Sequence, residues 1–266
     1  MIIYDLFETW DQSFGETIIN LVGQSAVDSH RKMTFQYIQD AGDHIANHTD
    51  VSTASTAIQS WIAANVFCVY HGTRLLGREI HSIRQDGLRP LIAKDRESRL
   101  RAIFHQSPRW SIVKSKLAPA IEDIGSKGKY GSREGQIHFS LSRSGLENDF
   151  DHYLNYGSEF DQHVANDLFN DQTGLQLLKS ATVPLLLHVQ VSGDQLINGA
   201  HPIYSYDDII ASEEIPGLAR TFLNTWAYKI SNPNFDIKKL RTDCCMMLKN
   251  TIPPSHIIKI EELSRP

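Results

Sequence analysis

The chain has 266 residues, of which 41% are hydrophobic and 21% are charged, and its formal net charge is −5. This size and composition are typical of a globular protein with a sizeable core, and the acidic balance argues against a general nucleic-acid binder. No apolar stretch approaches the roughly 20 residues that a membrane-spanning helix needs, and the first residues lack the pattern of a secretory signal. We therefore expect a cytoplasmic protein with no membrane partner.

The cysteines are few and show no metal-binding spacing. Cys68 lies in an apolar run, whereas Cys244 and Cys245 are adjacent. An odd count without metal spacing suits a reducing compartment. We expect three thiols in the core and no metal site.

Residues 1–65 are predicted to form a helical N-terminal region. Apolar residues recur at three- and four-residue spacing, with few glycines and no proline. Ser52 and Thr53 provide an N-cap for the last helix. The predicted helices are 11–21, 29–45 and 53–64. This region is a candidate surface for an inhibitory or activating protein partner.

From residue 66 onward, short strand patterns alternate with helical patterns, which predicts an α+β domain over 66–266 with a sheet core wrapped by helices. The glycine-rich segment 125–135 is predicted to be a mobile loop. The predicted strands are 66–70, 136–141, 182–191, 244–249 and 256–260. The predicted helices are 75–85, 95–105, 112–124, 147–169 and 207–230.

Positive charge is concentrated in an insert at residues 94–133. This window has ten Lys or Arg residues and four acidic ones, a balance of +6 in a chain that is otherwise −11. Such a region suits phosphate-bearing ligands, although on charge alone a solvated helical face is the favoured explanation.

The run FCVYHGT at residues 67–73 is the most informative segment. It predicts a buried strand that ends at His71, followed by Gly72, whose missing Cβ lets a ligand approach the backbone. A helical pattern follows and stops at Gly87. The order of strand, His-Gly-Thr, helix and glycine is typical of a binding site.

Two later segments complete a pattern. One reads GQIHFS at residues 135–140, and the other is a strand at 244–252 broken by Pro253 and Pro254. In order and spacing, the three segments resemble the ADP-ribosyltransferase superfamily, the fold shared by diphtheria toxin and the poly(ADP-ribose) polymerases. The resemblance covers about residues 66–262 and implies a split β-sheet core wrapped by helices.

The second and third motifs narrow the resemblance. His138 stands where the polymerases have tyrosine, in a strand similar to that of the RNA 2′-phosphotransferases. The usual glutamate of the third motif is replaced by an apolar residue, at Cys245 or Met246. The pattern of histidine, histidine and apolar residue is therefore closest to the RNA 2′-phosphotransferase-like branch.

The resemblance implies that NAD is the substrate and gives roles to the first motif. His71 would hydrogen-bond the adenine-side ribose and take part in catalysis. The backbone of Gly72 would hold the nicotinamide carboxamide, and Thr73 would add a hydroxyl. Arg74 would offset the charge of the pyrophosphate.

The other implied site residues lie further along the chain. His138, a second catalytic residue, would pack beside the nicotinamide, and Ser140 would orient a ribose. Glu159 is the candidate replacement for the missing glutamate. Tyr153 and Tyr156 precede it in a run interrupted by a glycine, which a helix interior disfavours. A helix break with core tyrosines explains the same run.

The activity implied is NAD-dependent transfer of ADP-ribose with release of nicotinamide, as in a bacterial toxin or defence effector. The basic insert favours RNA or another nucleic acid as acceptor. The residues predicted to bind it are Arg99, Arg101, Lys114, Lys116 and Arg133. Three alternatives stay open: a protein acceptor, an RNA 2′-phosphotransferase-like reaction, and a non-catalytic NAD-binding scaffold, which the missing glutamate favours.

Overall fold

A computed structural model of the chain describes residues 1–131, 134–148, 151–200, 215–240 and 245–264. Runs of helices separate the strands in these residues, which confirms the predicted α+β class. The strands are β1 Ile2–Ile3, β2 Val66–Leu75, β3 Ile137–Ser140, β4 Val183–Ser192, β5 Cys245–Leu248 and β6 Ile257–Glu262. The helices are α1 Asp11–Val22, α2 Gln24–His30, α3 Ile38–Ala46, α4 Val51–Ala63, α5 Gly77–Asp86, α6 Arg96–Phe104, α7 Trp110–Val113, α8 Leu117–Ile124, α9 Arg143–Asn148, α10 His152–Tyr156, α11 Glu159–Phe169, α12 Thr173–Ala181, α13 Gly193–Ala200 and α14 Gly217–Ser231.

The described strands belong to one sheet with the order β5-β3-β2-β4-β6, and β1 pairs in parallel with β2. Strands β4 and β6 are antiparallel, with a bulge between His188 and Val189. The resemblance implied a split sheet. In the described residues β2 pairs with β3, β4 and β1, and the finer fold that the resemblance implies stays a prediction.

Several elements differ from their predicted bounds. Strand β2 continues to Leu75 rather than ending near His71, because pairing in the sheet outweighs the preference of Gly72 against strands. Helix α4 begins after Asp50, whose carboxylate accepts a hydrogen bond from the backbone of Thr53, so the N-cap is not Ser52.

Three predicted helices are interrupted. The helix expected at 29–45 is broken between α2 and α3, and the one at 112–124 is divided into α7, a short 3₁₀ turn and α8. The helix expected at 147–169 is divided because Gly157 has a φ of 86°, which only glycine adopts readily. The start of the helix expected at 207–230 lies outside the described residues.

Internal contacts divide the chain into two compact units. The first unit comprises 1–69, 140–145 and 190–246, and the second comprises 70–139, 146–189 and 247–266. The boundary therefore differs from the domains expected at 1–65 and 66–266. The reason is that α14 packs on α3 and α4, and α13 packs on α4, within the first unit.

The first unit has an aromatic core. Trp10 packs edge-on against Phe14 and Phe222, and all three side chains are buried. Helices α3 and α14 approach closely at Gly42, where a Cβ atom would lie 1.8 Å from Oδ1 of Asn224. A larger residue at this position would displace the side chain of Asn224. Cys68 is a buried free thiol, as predicted.

A histidine pair joins three helices of the first unit. The fully buried His30 on α2 donates through Nε2 to the backbone oxygen of Ala227 on α14, at 2.8 Å. Its Nδ1 lies 3.0 Å from Nδ1 of His44 on α3. Burial lowers the pKa of both imidazoles, and the neighbouring His48 lowers both further, whereas the bond to Ala227 opposes the shift in His30.

The second unit has an apolar core between α6, α8, α11 and α12. Its members include Leu100, Phe104, Ile121, Phe160 and Leu178, each no more than 6% exposed. This core fixes the helices that border the cavity described below. Within the described ranges, no helix combines the length and hydropathy that crossing a membrane requires.

Candidate functional site

The second unit contains a cavity of about 400 Å³. It is bordered by β2, β3, α5, the segment 87–92 after α5, the first turn of α6 and the junction of α10 with α11. Seven of the residues predicted from the sequence line it: His71, Gly72, Thr73, Arg99, His138, Tyr153 and Glu159. The cavity therefore brings together residues of the first two motifs and of the candidate acidic segment.

His71 is a partly buried residue in the interior of β2. Its Nδ1 lies 2.7 Å from the backbone oxygen of His138, and a carbonyl oxygen only accepts, so Nδ1 carries the proton. Burial lowers the pKa of His71 to about 4, although the bond to His138 opposes the shift, and the nearby His138 ring lowers the pKa further. The imidazole is thus neutral at pH 7, and its Nε2 is a hydrogen-bond acceptor.

Gly72 is constrained by packing. A Cβ atom at this position would lie 3.0 Å from Cδ2 of Leu154 and 3.1 Å from Cδ2 of Leu146. These contacts are tighter than ordinary van der Waals packing allows. The glycine therefore has a structural role in addition to bordering the cavity.

Gln136 is a cavity residue that the sequence interpretation missed. It precedes β3 and lies two positions before His138, so the period of a strand puts both on one face. Its side-chain Oε1 is buried and has no hydrogen-bond partner among the described residues. The signal that could have found Gln136 is its position two residues before His138 in the second motif.

The role predicted for Arg74 is wrong. The side chain is 5% exposed, and its guanidinium donates to Oγ1 of Thr182 at 3.0 Å and to the backbone oxygen of Leu154 at 2.9 Å. Its Nη2 also donates to the backbone oxygens of Lys179 and Thr182, each at 2.5 Å. Arg74 joins β2 to α10 and to the end of α12, and its donors are used by the protein.

Arg99 borders the cavity, but it is buried and bound by protein groups rather than presented to an acceptor. It is 3% exposed, pairs through Nη1 with Glu79, and donates from Nε to Oδ2 of Asp161 at 3.0 Å. Its Nη2 donates to the backbone oxygen of Arg74 at 2.8 Å. Burial lowers the pKa of Arg99, but the carboxylates of Asp161 and Glu79 outweigh this effect and raise it.

The other basic residues predicted to bind the acceptor do not line the cavity. Arg101 is exposed, pairs with Glu97 at 2.6 Å, and stacks over the ring of Trp110. Lys114 and Lys116 are exposed between α7 and α8. Arg133 lies outside the described residues.

Ser140 and Tyr156 do not line the cavity either. Ser140 is buried in the first unit, where its hydroxyl donates to the backbone oxygen of Ser142 at 2.8 Å. Tyr156 packs against the apolar core of the second unit. The structure therefore does not bring either side chain to the cavity, and the roles predicted for them stay predictions.

The junction of α10 and α11 brings Tyr153 and Glu159 to the cavity. Gly157 reverses the chain with its positive φ, and Ser158 caps α11 by accepting a hydrogen bond from the backbone of Asp161. Oε1 of Glu159 lies 3.4 Å from Nε2 of His152, whose ring contacts that of Tyr153.

Arg96 is a second cavity residue that was not predicted to have a role. Its Nε donates to Oδ1 of the fully buried Asp161 at 3.0 Å, and its Nη2 pairs with Oδ2. Burial raises the pKa of Asp161, but Arg96 and Arg99 lower it more, so the carboxylate stays ionised. Arg96 and Asp161 lie on different helices and 65 positions apart, so no local sequence pattern identifies the pair.

The third motif contacts the segment after α5. Leu88 and Ile252 exchange two backbone hydrogen bonds of 2.9 and 2.8 Å. Gly87 is required beside them, since a Cβ there would lie 2.0 Å from the backbone oxygen of Ile252. Met246 is buried, whereas the side chain of Cys245 lies outside the part that the structure describes.

Comparisons with known protein families, curated proteins and solved structures find no match to the chain. Over the described part of the chain, His, Cys, Asp and Glu side chains form no group of three that could hold a metal ion. The chemistry of the cavity is therefore interpreted from its own residues.

Proposed function

We propose that the protein is an NAD-dependent ADP-ribosyltransferase with an ADP-ribosyltransferase-like fold, and that the cavity around His71 and His138 is its active site. One observation carries the proposal. Nδ1 of His71 donates to the backbone oxygen of His138, 67 positions away, at 2.7 Å, and both histidines border one cavity. The order of the three sequence motifs supplies the reaction class.

The cavity residues suit this reaction. Cleavage of the nicotinamide–ribose bond passes through an oxocarbenium-like centre, so the ligand must be held in a fixed geometry with water excluded. Neutral His71 would accept a hydrogen bond from a ribose hydroxyl through Nε2, and His138 would pack beside the nicotinamide. The oxygen of the acceptor hydroxyl would bond to the ribose carbon as nicotinamide leaves, and Glu159 would accept the proton of that hydroxyl.

A nucleic acid is the acceptor that we favour, on the ground that Lys114 and Lys116 are exposed. Replacing both with Glu should weaken modification of RNA while leaving nicotinamide release without acceptor unchanged. Each lost phosphate contact should reduce the salt dependence of log affinity by about one. RNA modification that is equal in the variant and the wild type at low and moderate salt would favour a protein acceptor.

The enzyme proposal is tested by measuring nicotinamide released from NAD. We expect release by the wild type, strong loss in His138→Ala, and partial retention in His138→Tyr, because a ring still covers the nicotinamide. His105→Ala is the matched control, since His105 is exposed and does not line the cavity. NAD binding without any release by the wild type would favour the non-catalytic scaffold.

A further inference from the structure

Arg96 is a cavity residue whose guanidinium is only partly used by the protein. Its Nε and Nη2 are bound to the two carboxylate oxygens of Asp161, as described above. Its Nη1 has no hydrogen-bond partner among the described residues. The side chain is 21% exposed and borders the cavity, which leaves Nη1 as the nitrogen that a ligand can contact.

The orientation of this guanidinium is fixed by Asp161. Asp161 is fully buried, and its Oδ2 also accepts from Nε of Arg99. The planar fork of Arg96 is therefore held before a ligand arrives, which reduces the entropy lost on binding. Guanidinium N–H groups held in this way match the geometry of phosphate oxygens.

The other arginines of the cavity differ from Arg96. All three side-chain nitrogens of Arg99 are used, by Glu79, Asp161 and the backbone of Arg74. The side chain of Arg89 is 64% exposed and pairs with Asp86 at 3.3 Å. Among the described residues, Arg96 thus combines a fixed orientation with an unshared nitrogen.

We propose that Arg96 binds a phosphate group of the cavity's ligand through Nη1, in the role that the sequence had suggested for Arg74. Asp95 and Glu159 also line the cavity and repel an anion, so phosphate binding there depends on this guanidinium. The identification of that phosphate with the pyrophosphate of NAD rests on the proposed function. The proposal that Arg96 binds a phosphate-bearing nucleotide is independent of the proposed function.

The test is calorimetric titration of the whole protein with ADP, inorganic pyrophosphate and adenosine. Arg96→Lys keeps a positive charge beside Asp161 and loses the fork, and Arg96→Met removes both. We expect ADP and pyrophosphate to bind on the order of tenfold more weakly to Arg96→Lys and up to a hundredfold more weakly to Arg96→Met. Adenosine affinity should change less than about twofold, since it has no phosphate to contact Arg96.

The matched control is Arg109→Lys. Arg109 is in the same unit and also pairs with an aspartate, Asp171, although through Nη1 alone and at the surface, and it does not line the cavity. Melting temperatures identify variants that fail to fold, and Arg96→Lys keeps the test decisive if Arg96→Met does not fold. The proposal is overturned if the wild type does not bind ADP, if folded variants bind it as the wild type does, or if adenosine affinity falls equally.

The outcome also separates this proposal from the proposed function. ADP binding that depends on Arg96, in a protein that releases no nicotinamide, supports the phosphate subsite and contradicts the transferase. Nicotinamide release by a protein whose ADP affinity is unchanged in Arg96→Met supports the transferase and contradicts the subsite.

Discussion

Lowering the pH from about 8 to about 5 should destabilise the protein through His71. The pKa of this imidazole is about 4 in the folded protein, against an ordinary value of 6.5 for a solvent-exposed histidine. In the unfolded chain the imidazole of His71 therefore binds a proton below about pH 6.5, whereas in the folded protein it stays neutral until about pH 4. The stability that His71 contributes is present above pH 6.5 and is lost as the pH falls toward 4.

The magnitude follows from the difference between these pKa values. A shift of about 2.5 units corresponds to about 3 kcal/mol in total, of which about 2 kcal/mol is lost by pH 5. The comparison variant is His71→Asn, whose side-chain amide can still donate to the backbone oxygen of His138 but does not titrate.

Urea unfolding at the two pH values measures the effect. The free energy of unfolding of the wild type should fall by about 2 kcal/mol more than that of His71→Asn. An NMR titration of the His71 ring should give a midpoint well below 6.5. An equal fall in both proteins, or a ring that titrates near 6.5, would refute the burial of a neutral imidazole at this site.

Three further predictions concern stability. Arg99→Met should lower the free energy of unfolding by about 3–5 kcal/mol, because Asp161 loses a buried partner; a loss below about 1 kcal/mol in urea titrations would contradict this. Gln136→Met should raise it by about 1 kcal/mol, since it removes a buried acceptor without a partner; a lower melting temperature would contradict this. The wild type should lose more stability than His30→Phe as the pH falls below about 6.5, because the neutral forms of His30 and His44 are favoured in the folded state; equal pH dependence of unfolding in both proteins would exclude this effect.

The main site-forming segments could be predicted from the sequence because their signals are local. The apolar run before His71 and the strand pattern around His138 indicated two strands that carry these residues, and both residues line the cavity. The helical periodicity at 11–21 likewise matches Asp11–Val22 closely. Apolar period and turn residues are sufficient for such elements.

The arginine roles could not be predicted because they depend on distant partners. Arg74 and Arg99 are conspicuous as charges in the sequence, but the groups that accept their hydrogen bonds lie far along the chain. Thr182 is 108 positions from Arg74, and Asp161 is 62 positions from Arg99. Charge counts treat such residues as exposed, whereas the fold buries them.

The central proposal is that NAD is cleaved in the cavity that contains His71. The most direct test is chromatographic measurement of nicotinamide released from NAD by the wild type and by His71→Ala, with folding of the variant verified by its melting curve. We expect release by the wild type and none by the variant, because the loss of Nε2 removes the acceptor for the ribose hydroxyl. Equal release by a folded His71→Ala variant, or none by the wild type, would contradict the proposal.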